Sequence, residues 1–238
     1  MRMATATIAA PATAMAGRYL SSSASRKPRN TVVHSSAGHI KLTKMRLTPG
    51  TFRYRHTVSM NGRESISEST TTVEELADGW LVKQSAQTTL YIATQTVVLE
   101  KETLNLRKQS LSGGPVRFEL DYRDGCAIGT LHISLQPDQA IDHPLETELF
   151  AQGPEAWLSV AALPLEIGYT KTYCNFNPVK QTITRKELTV AAIESGAWRI
   201  EIAPGATTLL IACDTRAVLR ASTRAPNGMT VVSEPSPP

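Results

Sequence analysis

Ser159 to Pro178 reads SVAALPLEIGYTKTYCNFNP, and its place in the chain decides the fold. A helical pattern over 154–162 runs into it. Pro154 suits a first helical position, and Trp157, Val160 and Ala161 share one side. Pro164 disfavours helix at Leu163, and an extended run starts near Ile167. From about Leu47 up to this segment, and from it to about Glu234, the chain reads as short strands joined by turns. The segment is therefore a helix-bearing crossover between two antiparallel halves. Its helix is predicted to plug a concave sheet, with Trp157 and Val160 facing inward.

Upstream, Thr51 to Met60 alternates with period 2. Phe52, Tyr54, His56, Val58 and Met60 take one face and Arg53, Arg55, Thr57 and Ser59 the other, as in a half-buried strand. Asn61-Gly62 follows, and a type I′ turn needs positive φ at both central residues. Arg63 to Val73 returns as a polar, Ser/Thr-rich strand expected near a sheet edge. Turns at Asp78-Gly79 and Glu100-Lys101-Glu102 bound three more extended segments, at 80–88, 90–99 and 103–110. In the hairpin Val116 to Leu135, Asp124-Gly125 as a two-residue loop places Tyr122 opposite Ala127, Leu120 opposite Gly129, Phe118 opposite Leu131 and Val116 opposite Ile133. Residues 137–153, with Pro137 and Pro144, read as a loop or irregular strand.

Downstream, 168–176 and 179–192 pair around Asn177-Pro178. Trp198, Ile200 and Ile202 turn at Pro204-Gly205 onto Thr207, Leu209 and Ile211. Strands over 217–223 and 229–232 flank Asn227-Gly228. About a dozen strands in meander order curl or close rather than stay flat. The expected fold is all-β with one short helix, an antiparallel meander forming a half-open β-barrel around it. Residues 45–234 form a single domain, 1–44 a tail without regular structure, and 235–238 a frayed end.

The net charge of +4 belongs to the tail. Residues 1–44 carry seven Lys and Arg and no acid, which leaves 18 Lys and Arg against 21 Asp and Glu in the rest. The body therefore has no basic excess to hold nucleic acid. Met1 to Ala16 resembles a weak secretory signal ending in Ala14-Met15-Ala16; the whole tail also fits an organellar transit peptide or an extended reading frame. No stretch reaches the ~20 apolar residues of a membrane span. Cys126, Cys174 and Cys213 are too far apart for zinc or a Cys-x-x-Cys redox site. They fit one disulfide plus a thiol, or three thiols packed as small hydrophobes.

Catalytic signatures are missing. There is no Gly-x-Ser-x-Gly elbow, and Asp142-His143 are neighbours that point apart on a strand. Asp142, His143, Glu146 and Glu148 have metal-ligand chemistry, but a solvated acidic loop is the plainer reading. His56 reads as a core or cavity-lining histidine. Gly113-Gly114 opens onto a strand, not the helix that would hold phosphate. A non-enzyme without cofactor or metal is expected. Phe52, Tyr54, Val58, Met60, Trp80, Phe118, Leu120, Tyr122, Trp157, Trp198 and Ile200 are the inward residues that would line a ligand cavity or simply fill a core.

Thr89 to Gly125, Leu163 to Pro178 and Trp198 to Gly228 carry a family likeness. They resemble bacterial cell-envelope domains similar to the half-barrel lipoprotein-localisation factors, over about Leu47 to Glu234. The resemblance implies a half-open antiparallel barrel around a short helix, whose apolar concave face holds acyl chains in its best-known relatives. At Leu210 to Asp214 the family's aromatic is missing, while Asp214 and Arg216 remain, and there is no lipobox. What the resemblance implies is an exported, periplasmic monomer, with the cytoplasm as the alternative. It would bind a lipid or lipoprotein acyl chain, or an envelope protein, in its concave face. The other reading is a fully packed interaction domain with no ligand.

Overall fold

The computed structural model describes residues 45–87, 90–145, 147, 149–150 and 155–237. The expectations for the N-terminal tail, for Pro154 and for Glu146 and Glu148 lie outside these residues. The first meander holds β1 (Gly50–Met60), β2 (Arg63–Glu75), β3 (Gly79–Gln87), β4 (Ile92–Glu100), β5 (Leu106–Ser112), β6 (Val116–Arg123), β7 (Cys126–Ile133) and β8 (Gln139–Pro144). Helix α1 (Glu155–Ala161) follows. The second meander holds β9 (Thr170–Asn177), β10 (Thr182–Glu194), β11 (Ala197–Ala203), β12 (Thr207–Ala212), β13 (Val218–Arg224) and β14 (Thr230–Pro235).

All neighbours pair antiparallel, and β1 pairs with β14, so the two meanders fuse into one 14-stranded sheet with β8 and β9 at its edges. The sheet is half-open rather than a closed barrel. The turns have the expected chemistry: φ is positive at both Asn61 and Gly62, and again at Asp124 and Gly125. The 116–133 hairpin has the register read from its sequence, including Leu120 opposite Gly129. A Cβ at Gly129 would lie 1.9 Å from the Glu119 carbonyl oxygen, so only glycine allows β6 this close.

Two expectations need correction. The polar strand β2 is not near an edge; it lies between β1 and β3 in the sheet's interior order. Its serines and threonines reflect an inner face that is partly polar. Residues 139–144 form a regular strand, with Pro144 at its last position, where no further ladder hydrogen bond is needed.

Both meanders and α1 feed one core. Trp80, Val82, Val97, Leu99, Leu120, Ile200, Leu209 and Ile211 come from the sheet, and Val160, Leu163 and Leu165 from the crossover. Arg216 holds the crossover in place: its guanidinium stacks 4.3 Å over the Trp198 ring and donates to the Leu163 carbonyl at 2.9 Å. That carbonyl lies just beyond α1 and also accepts from the Leu165 N–H at 2.8 Å.

The two edges overlap. Register parity puts Leu188 and Val190 on the inner face of β9–β10 and Phe176 and Ile183 on the outer. Yet Phe176 is fully buried, and its ring lies 5.1 Å from His143, an inward residue of β8. The inner face of β8 thus covers the outer face of β9. Beyond β8, Leu149 and Phe150 bridge the start of β5 to β9: Asn105 pairs with Phe150 and Leu149 with Cys174. Phe150 is buried against Tyr173, 5.4 Å away, with the Lys171 ammonium 5.1 Å over its ring.

Candidate functional site

Strand pairing identifies the inner face. Tyr54 pairs with Ser69 and Ser69 with Ala86; on the other side, His56 pairs with Ser233, Ser233 with Ala221, Ala221 with Leu209 and Leu209 with Ile200. This is the face α1 covers, since the Trp157 ring meets Tyr54 edge-on at 5.6 Å and tilts against His56 at 6.4 Å.

Burial along this face is graded. On β2, Val73, Thr71 and Ser69 are each 2% exposed, but the next inward residues, Ser67 and Ser65, are exposed. On β1, Tyr54 is buried, His56 and Val58 are half-buried, and Met60 is 44% exposed. The end where β1 starts is filled by α1 and its crossover. The end where β1 finishes is open, and Val58, Gln95, Leu111, Phe118, Thr223 and Val231 line this mouth half-buried.

Between the filled end and the mouth lies a polar cluster on His56. The ring Nδ1 is 2.8 Å from Ser233 Oγ and Nε2 is 2.7 Å from Ser69 Oγ; Gln84 Nε2 donates to the same Ser69 oxygen at 3.3 Å. Ser69, Ser233 and Gln84 are all buried. Neutral imidazole offers one donor and one acceptor, which a hydroxyl on each side can match. Protonation would make both nitrogens donors, and burial also disfavours the charge, so the His56 pKa is held below its ordinary value. Nearby, the Tyr122 hydroxyl donates to buried Gln109 Oε1 at 2.8 Å, and burial pushes the Tyr122 pKa well up. Burial pushes the Tyr54 pKa up to about 12.

The eleven predicted cavity residues divide. Tyr54, Trp80, Leu120 and Ile200 are buried in the core. Trp80 also donates from Nε1 to the Lys101 carbonyl at 3.2 Å. Phe52, Val58, Phe118, Tyr122, Trp157 and Trp198 are half-buried, and Met60 stands on the rim. Tyr54 and Trp157 come together, Trp198 is taken up by Arg216, and Val58 and Phe118 reach the mouth. Sequence reading placed His56 correctly on this face but missed its partners. The available signal was the inward run Ser65, Ser67, Ser69, Thr71 on β2. Ser233, 177 residues from His56, left no local signal.

Asp142 is exposed on the outer side of β8 while His143 packs on Phe176, so the two do not form a dyad. Among the described residues no group of three or more His, Cys, Asp or Glu is arranged to hold a metal. The three cysteines are unpaired and half-buried. No described helix is long and apolar enough to cross a membrane. The chain matches no protein-family model and no curated protein.

Proposed function

We propose that this is a non-enzymatic, exported binding module, monomeric, that holds an apolar, acyl-like ligand in the mouth half of its concave face. The observation that carries the reading is the burial gradient: inward residues are sealed under α1 and uncovered towards the mouth. A sheet face that continues past its plug offers apolar surface at a concave site, and covering it contributes about 25 cal/mol per Å². His56, Ser69, Gln84 and Ser233 would lie at the ligand's inner end and suit a polar group there. The likeness to lipoprotein-localisation factors supports both the acyl class and the envelope setting.

A delipidated sample would be titrated with a fluorescent fatty acid and examined by native mass spectrometry. Saturable binding displaced by oleate is expected, weakened roughly tenfold by Phe118→Asp or Val58→Asp at the half-buried mouth. No displaceable probe and no co-purified lipid would remove the reading. The packed-domain reading draws on Tyr54, Trp80, Leu120 and Ile200, which are core; it would then stand.

A further inference from the structure

The two faces of the sheet differ in charge. Register assigns each strand residue to a face, and among the described strand residues Glu75 is the one inward carboxylate. It lies at the filled end, paired with Arg46 at 2.9 Å and Lys101 at 3.2 Å. The other strand acids, such as Glu68, Glu119, Asp121 and Glu201, alternate to the outer face. Inward cations are different. Lys171 is taken up by the Phe150 ring near the filled end, but Lys186 and Arg63 stand at the mouth. The mouth half of the concave face therefore carries positive charge and no carboxylate to balance it.

Lys186 is the more enclosed of these two. It follows the inward alternation of Leu188 and Val190 on β10 and is half-buried, whereas Arg63 is exposed. The row through Leu188, Ile202, Thr207, Thr223, Val231 and Val58 lies one inward step towards the mouth from His56, and Lys186 and Arg63 lie one step beyond it. The Lys186 ammonium donates to the Pro204 carbonyl at 2.6 Å and sits close over Gly205, at the β11–β12 turn. That bond uses one of three N–H donors and leaves the charge uncompensated. Burial alone holds its pKa below the ordinary lysine value, with no acid acting on it. The His56 cluster, deeper in the cleft, is by contrast hydrogen-bonded within itself. A half-buried cation without a counter-charge, on a wall that continues round the sheet to apolar Leu111 and Phe118, fits a chain with an anionic head.

We infer that the ligand of the cleft is an anionic amphiphile, whose carboxylate or phosphate oxygens take the free N–H donors of Lys186 while its chain runs inward along β5–β6. The inference rests on an apolar chain occupying the mouth half and specifies the head that chain carries. Arg63, on the rim, adds positive potential without holding the head directly.

The test varies the head on a constant chain. Oleate, oleyl phosphate and oleyl alcohol are compared as displacers of a neutral fluorescent alkyl probe from the delipidated full chain near neutral pH. Oleate is expected to displace at about a tenfold lower concentration than the alcohol, the factor a charge-assisted hydrogen bond supplies. Lys186→Gln should remove that advantage and leave the alcohol unchanged, and Lys186→Arg should keep it. Oleyl phosphate stronger than oleate would assign a phosphate head, and weaker a carboxylate. Acetylation of Lys186 in the wild type, read by peptide mass spectrometry, should be slowed by oleate and not by oleyl alcohol, which tests the contact without any substitution. Equal displacement by oleate and the alcohol would overturn the inference and leave the cleft reading standing. So would an oleate advantage that survives in Lys186→Gln, since the basic N-terminal residues would then account for it, or acetylation that oleate does not slow. A protein that takes up neither probe nor any of the three chains would remove the cleft reading and this inference together.

Discussion

His56 shows how a single side chain sits where local and distant sequence meet. Its strand, its inward direction and its burial are legible in the alternation of residues 51–60. Its two hydrogen-bond partners are not, because Ser69 comes from the next strand's polar run and Ser233 from the far end of the chain. The consequence is a pH dependence with a definite sign. The folded state holds the His56 pKa below 6.5, so the unfolded chain binds more protons in the window between the two values. Stability is full above about pH 6.5, falls as the pH drops through the window, and levels off below the folded pKa. Urea midpoints across pH 4.5–7.5 should show this fall, and His56→Gln should flatten it while costing about 1–3 kcal/mol at neutral pH. Unchanged curvature in that variant would move the titration elsewhere. Tyr54 acts at the opposite extreme: with its pKa raised to about 12, its contribution is lost only as the pH rises above 10.

At the level of strands and helix, legibility follows turn chemistry. Asn61-Gly62 and Asp124-Gly125 announce their hairpins because few residues accept positive φ twice, and with the turn in place the whole register of 116–133 follows. The prolines of β8 read as breakers and hide the strand; the structure places Pro137 before it and Pro144 at its end. The sequence of β2 reads as an edge strand because polarity on both faces normally means solvent on both. Here part of that polarity belongs to a buried network. The hairpin also offers a sharp test. Gly129→Ala forces a Cβ to 1.9 Å from the Glu119 carbonyl oxygen, so β6 and β7 must separate or slip. A loss of several kcal/mol in chemical denaturation is expected, near the top of the range for single substitutions; a loss under about 1 kcal/mol would mean the strands are not in this register.

For the molecule as a whole, the half-open sheet is legible in strand count and hairpin order, but the joining of its two meanders and the overlap of its edges are not. Periodicity says nothing about β1 finding β14, or about β8 lying over β9, since both depend on twist accumulated across many strands. The overlap can be tested at Phe176. On an ordinary outer face this ring would be exposed and its removal nearly neutral. Sealed under β8, Phe176→Ala should cost about 3–5 kcal/mol, measured as a shift in the unfolding midpoint. The β1–β14 ladder carries a different consequence. The Ser236 amide donates to the Arg53 carbonyl at 2.9 Å, so both ends of the folded body emerge side by side, away from the mouth. A short peptide could join them and new termini could be opened between β8 and β9, giving a circular permutant with the same sheet. By the same geometry, a tag or surface linker fused at either end would hold the protein by its base and leave its opening facing outward.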